Sequence, residues 1–372
     1  MREKKVLISA GGSGGHLFPA QMLAKSLLAK KRCHHLLFAA KGLKETDFFQ
    51  KEEFSYVDIT SASLSKHPWK LIKAFFCITK GLFQGIILLK EYRPDVVIGF
   101  GSYHTFPLLL AAFFMKKPIV LYESNASLGK VNRLFAKRAK KIVLQLPIKQ
   151  EQWRNIHYAQ FLPWGCKPQF VETFCAQKVL RLVTNRLTLL VMGGSQGACF
   201  INSTFLQTAL ELKKRGYLFQ VIHIIGKKEN QKQVEEFYQK NQISFYVKPY
   251  VKNIALFYCA SDLVICRSGA GTIGDLVTYQ IPAICIPYPY AKEGHQEKNA
   301  TYFTEYIKGG ITLLQKDISS ETLRETIEMF LCDEKKMLFE KKKNILRFAI
   351  SEKKRKRKNM EDIVMELERY DG

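Results

Sequence analysis

The chain predicts an α/β fold built from two parallel-sheet domains. Three observations carry that expectation. The segments VLISAGGSGGHLFPA (6–20) and LLVMGGSQGACFIN (189–202) repeat one device: an apolar run, a glycine loop holding one serine, then a stretch able to become a helix. Short β-rich runs alternate with helix-like stretches along both halves, which indicates βαβ units and a parallel sheet. A length of 372 residues is enough for two domains, each with a sizeable core. Two such loops at equivalent places suggest paired domains facing each other across a cleft.

In the first half the expected strands are 6–9, 35–39, 96–100, 119–122 and 141–144, with helices over 20–30 and 128–137. In the second half 187–192, 220–225, 244–249, 263–266 and 283–286 repeat the scheme. The seam falls near 162–178, where Pro163 and Pro168 interrupt a stretch with no clear period. From Ser320 onward the chain reads as a charged helix. The expected divisions are 1–163, 164–340 and a basic terminal helix over 341–372.

The glycine spacing narrows the ligand. A dinucleotide fingerprint needs G-x-G-x-x-G and an acidic residue about 20 positions later. From Gly12 the chain runs Gly12, Ser13, Gly14, Gly15, His16, Leu17, so the third glycine is missing, and the stretch 30–35 is basic. Neither loop ends in Gly-Lys-Ser/Thr, as a P-loop does. NAD and ATP are therefore disfavoured. A glycine loop opening a helix still aims unpaired N–H groups at an anion.

Composition bounds the setting. Nine cysteines, with no C-x-x-C pair, sit in apolar contexts such as Cys199, Cys259 and Cys285, which indicates reduced thiols in a cytoplasmic protein rather than a zinc site. Residues 1–5 are charged, but 6–10 is only a strand's length before glycines begin, so this segment is not read as a signal peptide. A net charge of +25 favours an anionic partner, with the run 353–358 wholly basic. A solvated helix face is the plain alternative for that run. Nucleic acid is not an expected partner, because neither exposed aromatics interleaved with the basic residues nor a reading motif is evident.

The segment WKLIKAFFCITKGLFQGIILLKEYR (69–93) is the most apolar helical stretch. Lys70, Lys73, Lys80 and Lys90 interrupt it, so it is not read as a membrane span. It is either a core helix with snorkelling lysines or an interfacial helix. The apolar stretch 106–115 is expected to be buried; if both are partly exposed, they form a basic-rimmed patch suited to anionic lipid.

A third motif is CRSGAGTIGDL (266–276), a small-residue loop that opens a helix. Its amides can hold a diphosphate, with Thr272 adding a hydroxyl and the helix dipole favouring the negative charge. Asp275, expected in that helix's first turn, either accepts hydrogen bonds from ribose hydroxyls or simply favours the helix start.

Together these segments resemble MurG-type glycosyltransferases, which add N-acetylglucosamine to lipid I in peptidoglycan synthesis. The matching stretches are GGSGGHLFPA, GFGSY (99–103), YESNASLGKVNRL (122–134), GGSQGA (193–198), CRSGAGT and HQEKNA (295–300), in the family's order over nearly the whole chain. The resemblance implies a GT-B fold, two Rossmann-like domains, with the terminal helix crossing back to the first. It implies UDP-GlcNAc bound by the C-terminal domain and lipid I by a membrane-facing N-terminal domain. It raises the interfacial reading of 69–93. The implied reaction is inverting transfer to the C4 hydroxyl of the muramyl sugar, giving lipid II. The implied location is peripheral, on anionic lipid at the cytoplasmic face of the membrane, with other cell-wall synthesis proteins as further partners.

Residue by residue, the resemblance places Ser13, Gly14 and Gly15 along the first loop and gives Asn125 a donor contact. Ser195 would approach the diphosphate, and the backbone of Val251 would read the uracil edge with Tyr250 beside the base. Ala270, Gly271, Thr272, Ile273, Gly274 and Asp275 would surround the diphosphate and ribose, and Gln296 would meet the sugar hydroxyls. Three positions depart from the pattern. Lys167 stands where an arginine is expected and cannot make a planar bidentate contact. Asp275 replaces a common glutamate, and Gly271 a larger residue.

The implied chemistry needs a base for the acceptor hydroxyl and stabilisation of the departing UDP. His16 is the favoured base, since an unperturbed imidazole titrates near pH ~6.5; its other reading is orienting the acceptor diphosphate. Glu123 is the runner-up base. Amides of 268–272, with Ser195 and Arg267, would stabilise the diphosphate. No DxD-like acidic pair lies beside that loop, so neither a donor-bound metal nor any other cofactor is expected. A GT-B glycolipid synthase acting on diacylglycerol and a non-catalytic wall-enzyme scaffold are the alternatives.

Overall fold

The computed structural model describes residues 4–31, 33–63, 67–148, 155–158, 171–184, 186–193, 197–251, 253–354 and 358–366. The chain divides into two compact units, Met1–Gln160 with Arg357–Gly372, and Phe161–Lys356.

The first unit runs β1 (Lys4–Ser9), α1 (Gly14–Ala29), β2 (Cys33–Ala40), β3 (Tyr56–Asp58), α2 (Pro68–Tyr92), β4 (Val96–Gly99), α3 (Phe106–Phe114), β5 (Ile119–Glu123), α4 (Lys130–Phe135), β6 (Lys141–Leu144) and β7 (Ile156–Tyr158). Among the described residues its sheet has the order β3-β2-β1-β4-β5-β6-β7, with every pair parallel. Helices cover the faces of such a sheet, so the central strands are apolar without alternation. Val6 to Ser9, Val96 to Gly99 and Ile119 to Glu123 are accordingly buried throughout. Leu7, Val97, Leu121 and Ile142 form one core with Leu108, Ala111 and Ala112 of α3.

α2 meets this core along a narrow stripe, Ala74, Gly81, Gly85 and Leu89. A Cβ on Gly81 would lie 1.9 Å from the Thr60 carbonyl oxygen, and one on Gly85 would lie 3.0 Å from the Ala111 Cβ. The glycines therefore let the helix backbone settle against its neighbours. The remaining face stays in solvent: Trp69 is 75% and Phe76 67% exposed, with Phe75, Phe83 and Ile87 beside them. The core-helix alternative is set aside. By length and composition α2 is also apolar enough to cross a membrane, despite its lysines, but the glycine stripe seats it on the unit. In α3 the expected burial holds for Leu108, Leu109, Ala111 and Ala112, while Phe114 is exposed.

The second unit runs α5 (Thr173–Val179), β8 (Leu187–Met192), α6 (Cys199–Lys214), β9 (Phe219–Ile224), α7 (Gln231–Lys240), β10 (Ser244–Lys248), α8 (Ala255–Cys259), β11 (Leu263–Cys266), α9 (Ala270–Tyr279), β12 (Ala283–Cys285), α10 (His295–Thr301), a π-helical turn over Tyr302–Tyr306, β13 (Gly310–Thr312) and α11 (Ser320–Lys354). Its described strands repeat the first unit's order, β10-β9-β8-β11-β12-β13, again all parallel. Inside it, His223 is fully buried between Tyr238 and Asn202.

The tail corrects the expected third division. α11 is broken at 332–335, where Asp333, Glu334 and Lys335 all have positive φ. Both of its halves stay with the second unit, so the break from that unit comes after Lys356 rather than at 340. Among the described residues of the tail, α12 (Met360–Met365) is the helix that belongs to the first unit, through Glu361 paired with Lys30 and the Ile363 carbonyl accepting from Lys141 Nζ at 2.8 Å.

In each sheet the chain reverses direction of travel across the strand order next to its first strand, at β1/β4 and at β8/β11. Open α/β sheets bind ligands at the carboxyl ends of the strands around such a point. The glycine loops after β1 and β11 lie there.

Candidate active site

The loop after β1 leads straight into α1, whose N-cap is Ser13; the serine hydroxyl makes no capping bond. The Ser13 carbonyl takes the amides of His16 and Leu17, both at 3.1 Å, so the Gly14 and Gly15 amides precede the helical ladder. Pro19 has no N–H to return to the Gly15 carbonyl, which loosens this first turn. The glycines divide into two kinds. Gly12 has φ +93°, and a Cβ there would lie 2.5 Å from the His104 imidazole; Gly11 is crowded by the same residue. A Cβ on Gly15 would meet only the Ser13 hydroxyl, at 3.8 Å. Gly15 thus keeps open space before its amide, and His16 stands half-buried beside it.

At the end of β5, Glu123 is 4% exposed. Its Oε1 accepts the Asn125 amide (3.2 Å) and Asn125 Nδ2 (2.9 Å), and its Oε2 accepts Gly129 N–H (2.9 Å) and Asn132 Nδ2 (3.0 Å). A carboxylate offers about four lone-pair sites, and four donors occupy them. This corrects the runner-up base: Glu123 holds the 125–132 turn in place and has no lone pair to spare for an acceptor hydroxyl.

In the second unit, Gly269 is the N-cap of α9 and the first ladder bond runs from Ile273 N–H to the Gly269 carbonyl at 3.0 Å. The amides of Ala270, Gly271 and Thr272 lie ahead of that ladder, at the positive end of the helix. A Cβ on Gly269 would find only Thr272 Oγ1, at 3.8 Å, so this glycine too faces open space. The loop is held from behind. Ser268 Oγ donates to the Gln296 carbonyl (2.8 Å), and Asn299 Nδ2 donates to the Ser268 carbonyl (3.1 Å). Gln296 accepts the Tyr288 amide through Oε1 at 2.9 Å, which orients its side chain.

Several expected contacts are placed differently. α9 begins at Ala270, so Asp275 falls in the second turn rather than the first, on the buried face. Burial, and then the neighbouring Asp275 carboxylate, hold the Tyr258 phenol well above its ordinary range, and the Tyr258 hydroxyl donates to Met192 Sδ at 3.7 Å. Ile273 and Gly274 are buried within the ladder and not at the loop mouth. Arg267 is committed inward: its guanidinium donates to the Ile286 (3.2 Å) and Pro287 (3.1 Å) carbonyls and to Gln315 Oε1 (2.7 Å), with burial lowering its pKa. It braces the loop rather than facing a diphosphate. Val251 is half-buried next to Tyr250, whose ring lies 5.3 Å from Lys227 Nζ. Lys167 and Ser195 lie outside the described residues.

Residues 6–144 match the glycosyltransferase family 28 N-terminal domain and residues 188–363 its C-terminal domain. The chain belongs to glycosyltransferase family 28. Among its relatives is a UDP-N-acetylglucosamine–N-acetylmuramyl-(pentapeptide) pyrophosphoryl-undecaprenol N-acetylglucosamine transferase of Protochlamydia amoebophila, 37% identical over 88% of each chain. The protein of that name from Chlamydia muridarum is 35% identical over 88% of this chain and 89% of its own. In fold the chain is similar to MurG of Acinetobacter baumannii, with a TM-score of 0.73 at 23% identity over 97% of this chain and 98% of that one. It is also similar to a UDP-glucose:anthocyanidin 3-O-glucosyltransferase in complex with UDP (TM-score 0.67, 13% identity, 95% of each chain). These are GT-B glycosyltransferases, and the two parallel-sheet units are that fold.

Two residues behind the loops differ in how far the sequence disclosed them. His104, which its place just after GFGSY marks as a binding or structural residue, packs over Gly11 and Gly12 with Nδ1 2.8 Å from Ser102 Oγ. Tyr258, beside Asp275, sits in an apolar helix and gave no such signal.

Proposed function

We propose that this chain transfers N-acetylglucosamine from UDP-GlcNAc to the C4 hydroxyl of the muramyl sugar of undecaprenyl-pyrophosphoryl-MurNAc-peptide, converting lipid I to lipid II with inversion. The observation that carries the reading is the open N-terminus of α9, where a glycine that packing does not require leaves three amides ahead of the ladder. Such an end suits a diphosphate, and the relatives at 35–37% identity are named for this reaction.

In the reaction the acceptor O4 forms a bond to the sugar C1 as the bond from C1 to the diphosphate oxygen breaks. The hydroxyl proton passes to His16, and the electron pair leaves with UDP. Negative charge then grows on the diphosphate, where preorganised amides count most. Glu123 orients Asn125, and Gln296 is held by Tyr288 for a sugar hydroxyl.

The exposed face of α2, with Lys70, Lys73, Lys80 and Lys90 also in solvent, supports a peripheral contact with anionic lipid on the cytoplasmic leaflet. The test is UDP release from UDP-GlcNAc with and without a soluble lipid I analogue. Release that depends on the muramyl acceptor and is lost with UDP-glucose is expected. Release driven instead by diacylglycerol, or none while UDP-GlcNAc still binds, would overturn the reading.

A further inference from the structure

The second half of α11 has two apolar faces where the fold uses one. Leu338 and Ile345 are buried in the second unit, and Phe348 packs on Tyr302 and Tyr306. On the opposite side Phe339 is 63% exposed, with Leu346 and Ile350 also in solvent. At about 100° per residue these three fall within an arc of roughly 40°, so they form one stripe along the helix. Exposed cations border it: Lys336, Lys343, Arg347 and Lys354 on one side and Lys342 on the other. Glu340 is exposed beyond Arg347. Residues 335–354 carry eight cations against two carboxylates.

We propose that this stripe is a second docking surface for an anionic lipid membrane, carried by the second unit and separate from α2. Charge complementarity selects the occupant. Phosphate headgroups would meet the flanking lysines, while the three apolar side chains leave water for the acyl boundary. A nucleic acid would meet the same cations but leave Leu346 and Ile350 in water, which makes it the poorer match. The proposal goes beyond the glycosyl-transfer reading and does not depend on which sugar or acceptor is used.

The test is sedimentation of the full chain with vesicles of phosphatidylglycerol and phosphatidylcholine, against phosphatidylcholine alone. One variant carries Phe339→Ser, Leu346→Ser and Ile350→Ser; another carries Lys336→Glu, Lys343→Glu and Arg347→Glu. A Trp69→Ser/Phe76→Ser chain reports the α2 contribution. The charge variant is expected to bind anionic vesicles at least ~100-fold more weakly and the apolar variant on the order of 10-fold more weakly, with turnover of a soluble acceptor analogue unchanged. Should the apolar variant misfold by circular dichroism, the charge variant decides alone. Vesicle binding equal to that of the unaltered chain overturns the proposal. So does a charge variant that loses affinity for a polynucleotide or an acidic peptide but keeps its vesicle binding.

Discussion

Glu123 Oε1 accepts both N–H groups that Asn125 offers it, the backbone amide at 3.2 Å and Nδ2 at 2.9 Å. The asparagine amide plane is thereby set by a buried carboxylate two residues earlier. Glu123→Gln would turn an NH2 group toward donors that need an acceptor. UDP release should fall on the order of 10- to 100-fold, since an orphaned buried donor costs about 1–3 kcal/mol, while the pH–rate profile keeps its shape. Loss of the profile's acidic limb would return Glu123 to the role of base.

His16 is the group expected to take the acceptor proton. His16→Ala should lower turnover at least ~100-fold, the lower range for loss of a general base, with UDP-GlcNAc affinity little changed. A near-normal rate ends the assignment.

Two glycines should respond in opposite ways to alanine. Gly12→Ala places a Cβ against His104 at φ +93°, and thermal unfolding should show a loss of at least about 1 kcal/mol. Gly269→Ala meets no obstacle inside the fold, so stability should stay within about 0.5 kcal/mol. KM for UDP-GlcNAc should instead rise ~10-fold if one amide–phosphate bond, worth about 1.5 kcal/mol, is blocked. An unchanged KM would move the diphosphate away from this loop.

His223 gives the fold an acid-sensitive point. Asn202 donates through Nδ2 to the Ile225 carbonyl, so its Oδ1 takes Nε2–H of His223, and Nδ1 accepts from Tyr238. Burial of this neutral ring lowers its pKa to about 3. The unfolded chain, with an ordinary imidazole near ~6.5, binds more protons between those values. Stability is therefore full above about pH 6.5 and declines as pH falls toward 3, by about 1.4 kcal/mol per unit. Urea unfolding at pH 7 and pH 5 should differ by roughly 2 kcal/mol more in the parent than in His223→Gln. Equal differences would mean that another group governs the acid limb.

The central strands were legible because a parallel strand covered on both faces must be an apolar run; β8 and β11 span the expected 187–192 and 263–266. β3, β7 and β13 were missed: each is three residues long and, unlike the equally short but fully buried β12, is incompletely covered and so carries no apolar run. α1 was expected from residue 20 but starts at Gly14, since glycine's weak helix propensity masks a helix that opens inside its own loop. Asp275 was misplaced by one turn for a related reason. The helix starts directly after Gly269, and the Tyr258 phenol that neighbours the carboxylate comes from another helix.

Local order therefore determined the paired α/β units, the loops at their switch points and the family, because backbone period and small-residue loops are properties of neighbouring residues. Tertiary structure alone decided which glycines lie beneath His104 and which face open space. It also decided that Glu123 is spent on the 125–132 turn, that Arg267 points into its own unit and that α11 keeps an uncovered apolar stripe. Each of these depends on what a distant stretch of chain brings within a few ångströms, and no spacing along the sequence encodes that distance.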